Sequence, residues 1–155
     1  MKLNKTVFSL ALGALLFTGC SGVAKEVNTD PGSSDGIAQP LTNVPGDPAN
    51  GAKLAVNKKK GNCIACHYLP DSDFPGNAGP NLVEAMREYD RSVPWIRQKI
   101  VDPKVDNADT LMFTFYSNEG KKMVRKDWQG GKRVLTAQEV EDVIAYLLTF
   151  RNQEM

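Results

Sequence analysis

Residues 63–67, CIACH, place two of the chain's three cysteines and its only histidine within five positions. Adjacent Cys66 and His67 struggle to bind one metal together, and a structural zinc site wants four ligands where this motif offers three. A thioredoxin-like dithiol wants a preceding strand and a βαβ surround, and neither pattern is evident. C-x-x-C-H is instead the attachment signature of c-type haem. At that spacing each thiol can bond one vinyl carbon of a porphyrin, and the next residue projects an imidazole toward the iron. Cys63 and Cys66 are therefore the expected attachment points for one haem c, with His67 as the proximal iron ligand.

The first twenty residues, MKLNKTVFSLALGALLFTGC, read as an export leader. Lys2 and Lys5 form a basic start, and Val7 to Phe17 form an apolar stretch too short to span a bilayer. FTGC resembles a bacterial lipobox, with Phe17 where Leu is commoner. On that reading Cys20 is lipidated and fixes the protein to a membrane outside the cytoplasm, in the periplasm. The alternative is an ordinary signal peptide in which Cys20 is incidental. With Cys20, Cys63 and Cys66 all assigned, no cysteine is left for a disulfide framework.

Once Lys2 and Lys5 leave with the leader, 17 basic side chains face 18 acidic ones, a formal charge of −1. That argues against a nucleic-acid partner, which calls for a basic excess. Residues 21–46 are rich in Gly, Ser, Pro, Asp and Asn without an apolar period, and read as a flexible tether. The body, 47–151, is expected to be mainly helical. Asp47 and Pro48 start a helix to about Lys60. Asn81 caps a second helix to about Tyr89, and Ser92 caps a third, carrying Trp95 in the core and stopped at Asp102-Pro103. The last helix has a capping box in Thr136 and Glu139, a hydrophobic staple in Leu135 and Val140, and a buried face of Val140, Val143, Ile144 and Leu147. The loop from Phe113 to Val134 is long for a compact domain; such loops are usually functional or disordered, and one lying over a haem can pack on the cofactor.

Other candidate residues follow from the haem. The Pro80 carbonyl, in GPNL, is placed to accept from His67 Nδ1–H and fix the ring. No second histidine exists, so a sixth ligand falls to Met, Lys, water or nothing. Met86 lies on a helix and suits the core, whereas Met112 and Met123 both lie between the third and last helices; spacing does not separate them. Lys58 to Lys60 and the cluster Lys121, Lys122, Arg125, Lys126, Lys132 and Arg133 either steer acidic partners to a haem edge or form a solvated surface. Trp128 is an interface candidate.

An early helix, CxxCH, Gly-Pro, a later Met and a terminal helix together resemble class I cytochrome c. More narrowly, PLTNVPGDPANG, GNCIACHYLP, FPGNAGPNL, IVDPKVDNADTLM, FYSNEGKKMVRKDWQGGK and LTAQEVEDVIAYLLTF resemble the SoxX family of monohaem subunits, over about residues 37–150. The resemblance implies a class I cytochrome c-like domain around one covalently bound haem, with a long Met-bearing loop. In that family the ligand Met follows an N-x-x-T-x run, which carries the role to Met112; Phe113 and Thr114 stand where prolines are usual. The implied partners are a SoxA-type cytochrome that holds the catalytic centre, a SoxYZ-type carrier whose cysteine receives thiosulfate, and an acceptor cytochrome c. This chain would be the electron-transfer subunit of that thiosulfotransferase, without catalysis of its own. The alternative is a free, membrane-tethered cytochrome c carrier serving a terminal oxidase or reductase.

Overall fold

The computed structural model describes residues 36–70, 72–88, 91–117 and 133–152. Cys20, Met123, Trp128, Lys121, Lys122, Arg125, Lys126 and Lys132 lie outside the described residues. Four α-helices carry the fold: α1 (Pro48–Val56), α2 (Leu82–Glu88), α3 (Val93–Val101) and α4 (Ala137–Leu148). Short 3₁₀ turns occupy Cys63–Ala65, Pro103–Val105 and Thr149–Asn152. Among the described residues there is no strand, and no helix is long and apolar enough to cross a membrane.

Each helix begins where a side chain satisfies a free backbone donor. Asp47 Oδ1 accepts from Ala49 N–H at 2.9 Å, with Pro48 in the first helical position. Asn81 Oδ1 accepts from Val83 N–H at 3.0 Å, and Ser92 Oγ from Trp95 N–H at 3.2 Å. At α4 the capping box is complete: Thr136 Oγ1 accepts from Glu139 N–H and Glu139 Oε2 accepts from Thr136 N–H. The stop of α1 differs from the sequence expectation of Lys60. Asn57 ends the helix, because its side chain captures Lys59 N–H at 2.9 Å and its carbonyl captures Lys60 N–H at 2.9 Å. Residues 58–61 become a turn instead.

The core gathers around α4, whose Val140, Val143, Ile144 and Leu147 are buried as the periodicity requires. Leu135 is buried as well, consistent with the staple. Helix α1 lies directly on α4 because Gly51 has no side chain. A Cβ there would fall within the radius of the Asp142 carbonyl oxygen. Asp142 ties the same seam with polar contacts, accepting from Asp47 N–H at 2.9 Å, Asn50 Nδ2 at 2.7 Å and Gln138 Nε2 at 2.9 Å.

A buried ion pair joins α3 to α4. Arg97 Nε and Nη2 donate to Glu141 Oε1 and Oε2 at 2.7 and 2.9 Å, with side chains 4% and 8% exposed. The pair also holds residues 36–46, which were expected to continue the tether. Arg97 Nη1 donates to the Ile37 carbonyl at 2.7 Å, and Glu141 Oε1 accepts from Leu41 N–H at 2.9 Å. Ile37 is buried, and Thr42 and the Pro45 carbonyl bond to Gln138. The low apolar content of this stretch hides its docking, which relies heavily on backbone groups, at Ile37, Leu41 and Pro45, beside the buried Ile37 side chain.

Candidate haem site

The turn after α1 brings Asn62 into the left-handed region, φ 48°, from which the 3₁₀ turn Cys63–Ala65 starts. Cys66 N–H and His67 N–H both donate to the Cys63 carbonyl, at 3.1 and 2.9 Å. In a 3₁₀ turn residues three apart eclipse, so the two cysteines stand on one side of the turn. Both thiols are free of disulfide bonding. Burial pushes the Cys63 thiol up to about 11; a backbone hydrogen bond opposes the rise and the neighbouring Cys66 adds to it. Dithiol redox centres and zinc thiolates depend on the opposite shift. Among the described residues, no three His, Cys, Asp or Glu side chains are grouped as a bound metal ion would need.

His67 is held from behind. Its Nδ1 lies 2.8 Å from the Pro80 carbonyl, which can only accept, so Nδ1 carries the proton and Nε2 keeps its lone pair. The segment that supplies Pro80 is pinned to the motif by three backbone bonds: Gly76 N–H to Ile64 O at 2.7 Å, Gly79 N–H to Cys66 O at 2.8 Å and Leu82 N–H to Tyr68 O at 3.2 Å. Gly79 lies against the imidazole so closely that a Cβ would collide with the ring.

Met112 enters from the other side of the chain. Thr110 Oγ1 accepts Met112 N–H at 3.2 Å, and Asn107 shapes the preceding turn by accepting Asp109 N–H on Oδ1 at 3.0 Å and Thr110 N–H on its carbonyl at 3.2 Å. Lys104 Nζ donates to the Thr110 carbonyl at 2.7 Å. Where prolines were expected to stiffen the chain, Thr114 is buried and its hydroxyl donates to Asp102 Oδ1 at 3.1 Å. Phe115 N–H then donates to Ile100 O, and Val134 N–H and Leu135 N–H return to Phe115 O. A side-chain hydrogen bond thus fixes the loop in place of a ring.

One cavity of about 920 Å³ collects these residues. Cys63, Cys66, His67, Pro80 and Met112 all line it, with Met86, Ile96, Ile100, Leu135, Val143 and Leu147 among the apolar side chains around them. Its size falls at the upper end of the roughly 300–1,000 Å³ typical of cofactor sites. The donor set suits haem c: two thiols on one turn, one imidazole of fixed tautomer, one thioether and an apolar chamber.

Three features were not read from the sequence. Trp95, expected in the core, is half-buried on the cavity wall with the Arg91 guanidinium 4.5 Å and the Lys99 ammonium 5.0 Å from its ring centroid. Lys60, read with its neighbours as steering charge or solvated surface, is paired with Glu139 at 2.8 Å. Arg133 stacks on Tyr116 at 4.3 Å and donates to its carbonyl at 3.1 Å. Only the i, i+4 spacing of Arg91, Trp95 and Lys99 offered a signal for the first of these.

A helical shell, without strands among the described residues, closing on a CxxCH turn defines a c-type haem protein, and the chain belongs to the cytochrome c family, whose model matches residues 48–151. Its cofactor is accordingly covalently bound haem c. The chain is also similar to one in the crystal structure of SoxXA from P. pantotrophus, with 30% sequence identity, coverage of 76% of this chain and 91% of that one, and a TM-score of 0.66. Together these two likenesses support a SoxX-type monohaem cytochrome. Comparison with curated proteins gave no match.

Proposed function

We propose that Cys63 and Cys66 carry the two thioether links, that His67 Nε2 and Met112 Sδ bind the iron, and that the chain is the electron-accepting subunit of a SoxAX-type L-cysteine S-thiosulfotransferase. The observation that carries the site is the single cavity lined by Cys63, Cys66, His67 and Met112, with His67 Nδ1 at 2.8 Å from Pro80. Haem c supplies a one-electron couple. The chain's own residues set where that couple operates. Pro80 orients the imidazole and raises its basicity. A thioether opposite it favours the ferrous state. The apolar wall keeps water from the centre, and Leu111 and Phe113, at 83% and 46% exposure on the same cavity, give a partner an apolar edge to approach.

The partner reading rests on the likeness to a chain in the crystal structure of SoxXA. The proposed route runs from a SoxA-type subunit, where thiosulfate is joined to a cysteine of a SoxYZ-type carrier, through this haem to a soluble cytochrome c. Export and lipidation at Cys20 would place the chain in the periplasm on a membrane. Affinity purification of the tagged chain from its native host, grown on thiosulfate, tests this. Co-purification of a larger c-type cytochrome is expected. A chain that elutes alone, from a host that oxidises thiosulfate normally without it, would support the free carrier instead.

A further inference from the structure

Among the described residues, the charged side chains that line the cavity are all cations: Lys58, Lys60, Arg91 and Lys99 contribute to its wall, and no described aspartate or glutamate does. An apolar chamber with charge of one sign suits an anion. Haem c brings its own, two propionate carboxylates on the porphyrin edge opposite the vinyl carbons that take the thioethers.

The cations form two groups. Lys58 and Lys60 belong to the turn that leads into Cys63, and Lys60 is committed to Glu139 at 2.8 Å. The second group is on and just before α3, where Trp95 and Lys99 lie one turn apart on the helix and Arg91 just precedes its cap, Ser92. Trp95 lies between the two cations, 4.5 Å from the Arg91 guanidinium and 5.0 Å from the Lys99 ammonium. Lys99 also meets Asp106 Oδ2 at 2.7 Å, which occupies one of its three donors. The Cys63 turn packs on α1, whereas α3 packs on α4 and on Pro103–Val105. With the vinyl edge bonded at Cys63 and Cys66, the carboxylate edge would face the side of the cavity away from the turn that carries Lys58 and Lys60.

Resting on the haem reading above, the geometry points to Arg91 and Lys99 as the seat of the haem propionates, with Trp95 as the flat ring that orients both cations. Charge-assisted hydrogen bonds from guanidinium and ammonium would compensate the two carboxylates inside a largely apolar wall. The same two charges favour the more negative, ferrous form.

The test is redox-difference infrared spectroscopy and potentiometry on holoprotein carrying ¹³C-labelled haem propionates, in R91Q, K99Q and the double variant, with K58Q as the control. The propionate carboxylate bands are expected to move in R91Q and in K99Q. At the wild-type midpoint the reduced-to-oxidised ratio is expected to fall roughly tenfold in each single variant and roughly a hundredfold in the double variant, from the Coulomb energy of near-surface charges about 10 Å away. R91K should return the bands part of the way, and K58Q should leave the propionate bands in place. Haem-loaded R91Q and K99Q with unmoved bands, or equal movement in K58Q, would overturn the assignment while leaving the haem reading intact. Wild-type protein without covalent haem would overturn both.

Discussion

Replacing Glu141 with leucine should destabilise the protein by about 4 kcal/mol. The substitution strands the Arg97 guanidinium at 4% exposure without its partner, and breaking a buried pair from one side costs roughly 3–5 kcal/mol. It also removes the acceptor of Leu41 N–H at 2.9 Å, worth about 1 kcal/mol where water cannot fully replace it. Against a total stability of roughly 5–15 kcal/mol for a domain, that loss is large. Urea denaturation of the holoprotein, followed by tryptophan fluorescence, measures it. The double variant E141L/R97M separates the pair from the rest. Apolar replacement of both partners is often near neutral, leaving the Ile37 carbonyl without its 2.7 Å donor and Leu41 N–H without its 2.9 Å acceptor, a loss of about 2 kcal/mol. The double variant should therefore be more stable than E141L alone. A single variant within 1 kcal/mol of wild type, or a double variant no better than the single, would refute the view that Arg97 is held as a buried charge by Glu141.

Met112→Ala should abolish the red-region charge-transfer band of the ferric protein and lower its midpoint potential, both read by spectroelectrochemistry; an unchanged band would exclude Met112 as the ligand. Gly79→Ala places a methyl group against the His67 ring, so haem staining should show less loaded protein than wild type. Burial would raise the Asp142 carboxyl, but hydrogen bonds from Asp47, Asn50 and Gln138 outweigh it and hold the group below its ordinary 3.8. Its contribution is then complete above that value and is lost as pH falls below it through the folded-state value. Acid titration of stability should accordingly show a shallower loss in D142N than in wild type.

The helical starts were legible because each depends on one local hydrogen bond from a residue type suited to it: Asp47, Asn81, Ser92 and Thr136. The buried face of α4 was legible for a similar reason, since Val140, Val143, Ile144 and Leu147 report a periodicity that needs no knowledge of what they touch. The His67–Pro80 contact was legible from GPNL following the motif, and the structure has Nδ1 and the carbonyl 2.8 Å apart. Long-range polar contacts were not legible. Arg97 and Glu141 lie 44 positions apart, and each alone looks like an ordinary surface charge. Residues 36–46 read as tether because their docking uses the backbone of Ile37 and Leu41. The end of α1 was misplaced because lysines 58–60 are good helix formers, while Asn57 wins locally by capturing the next backbone donors. Trp95 was assigned to the core from its helix position, and only the folded cavity shows that it lines the wall of a cofactor-sized site.

Peptide mapping of the mature protein by mass spectrometry, alongside its absorption spectrum in alkaline pyridine, bears most directly on the account. One haem is predicted on the peptide containing Cys63 and Cys66, with neither thiol open to alkylation and the spectrum of a porphyrin that has lost both vinyl groups. Colourless protein with both thiols alkylated would contradict it.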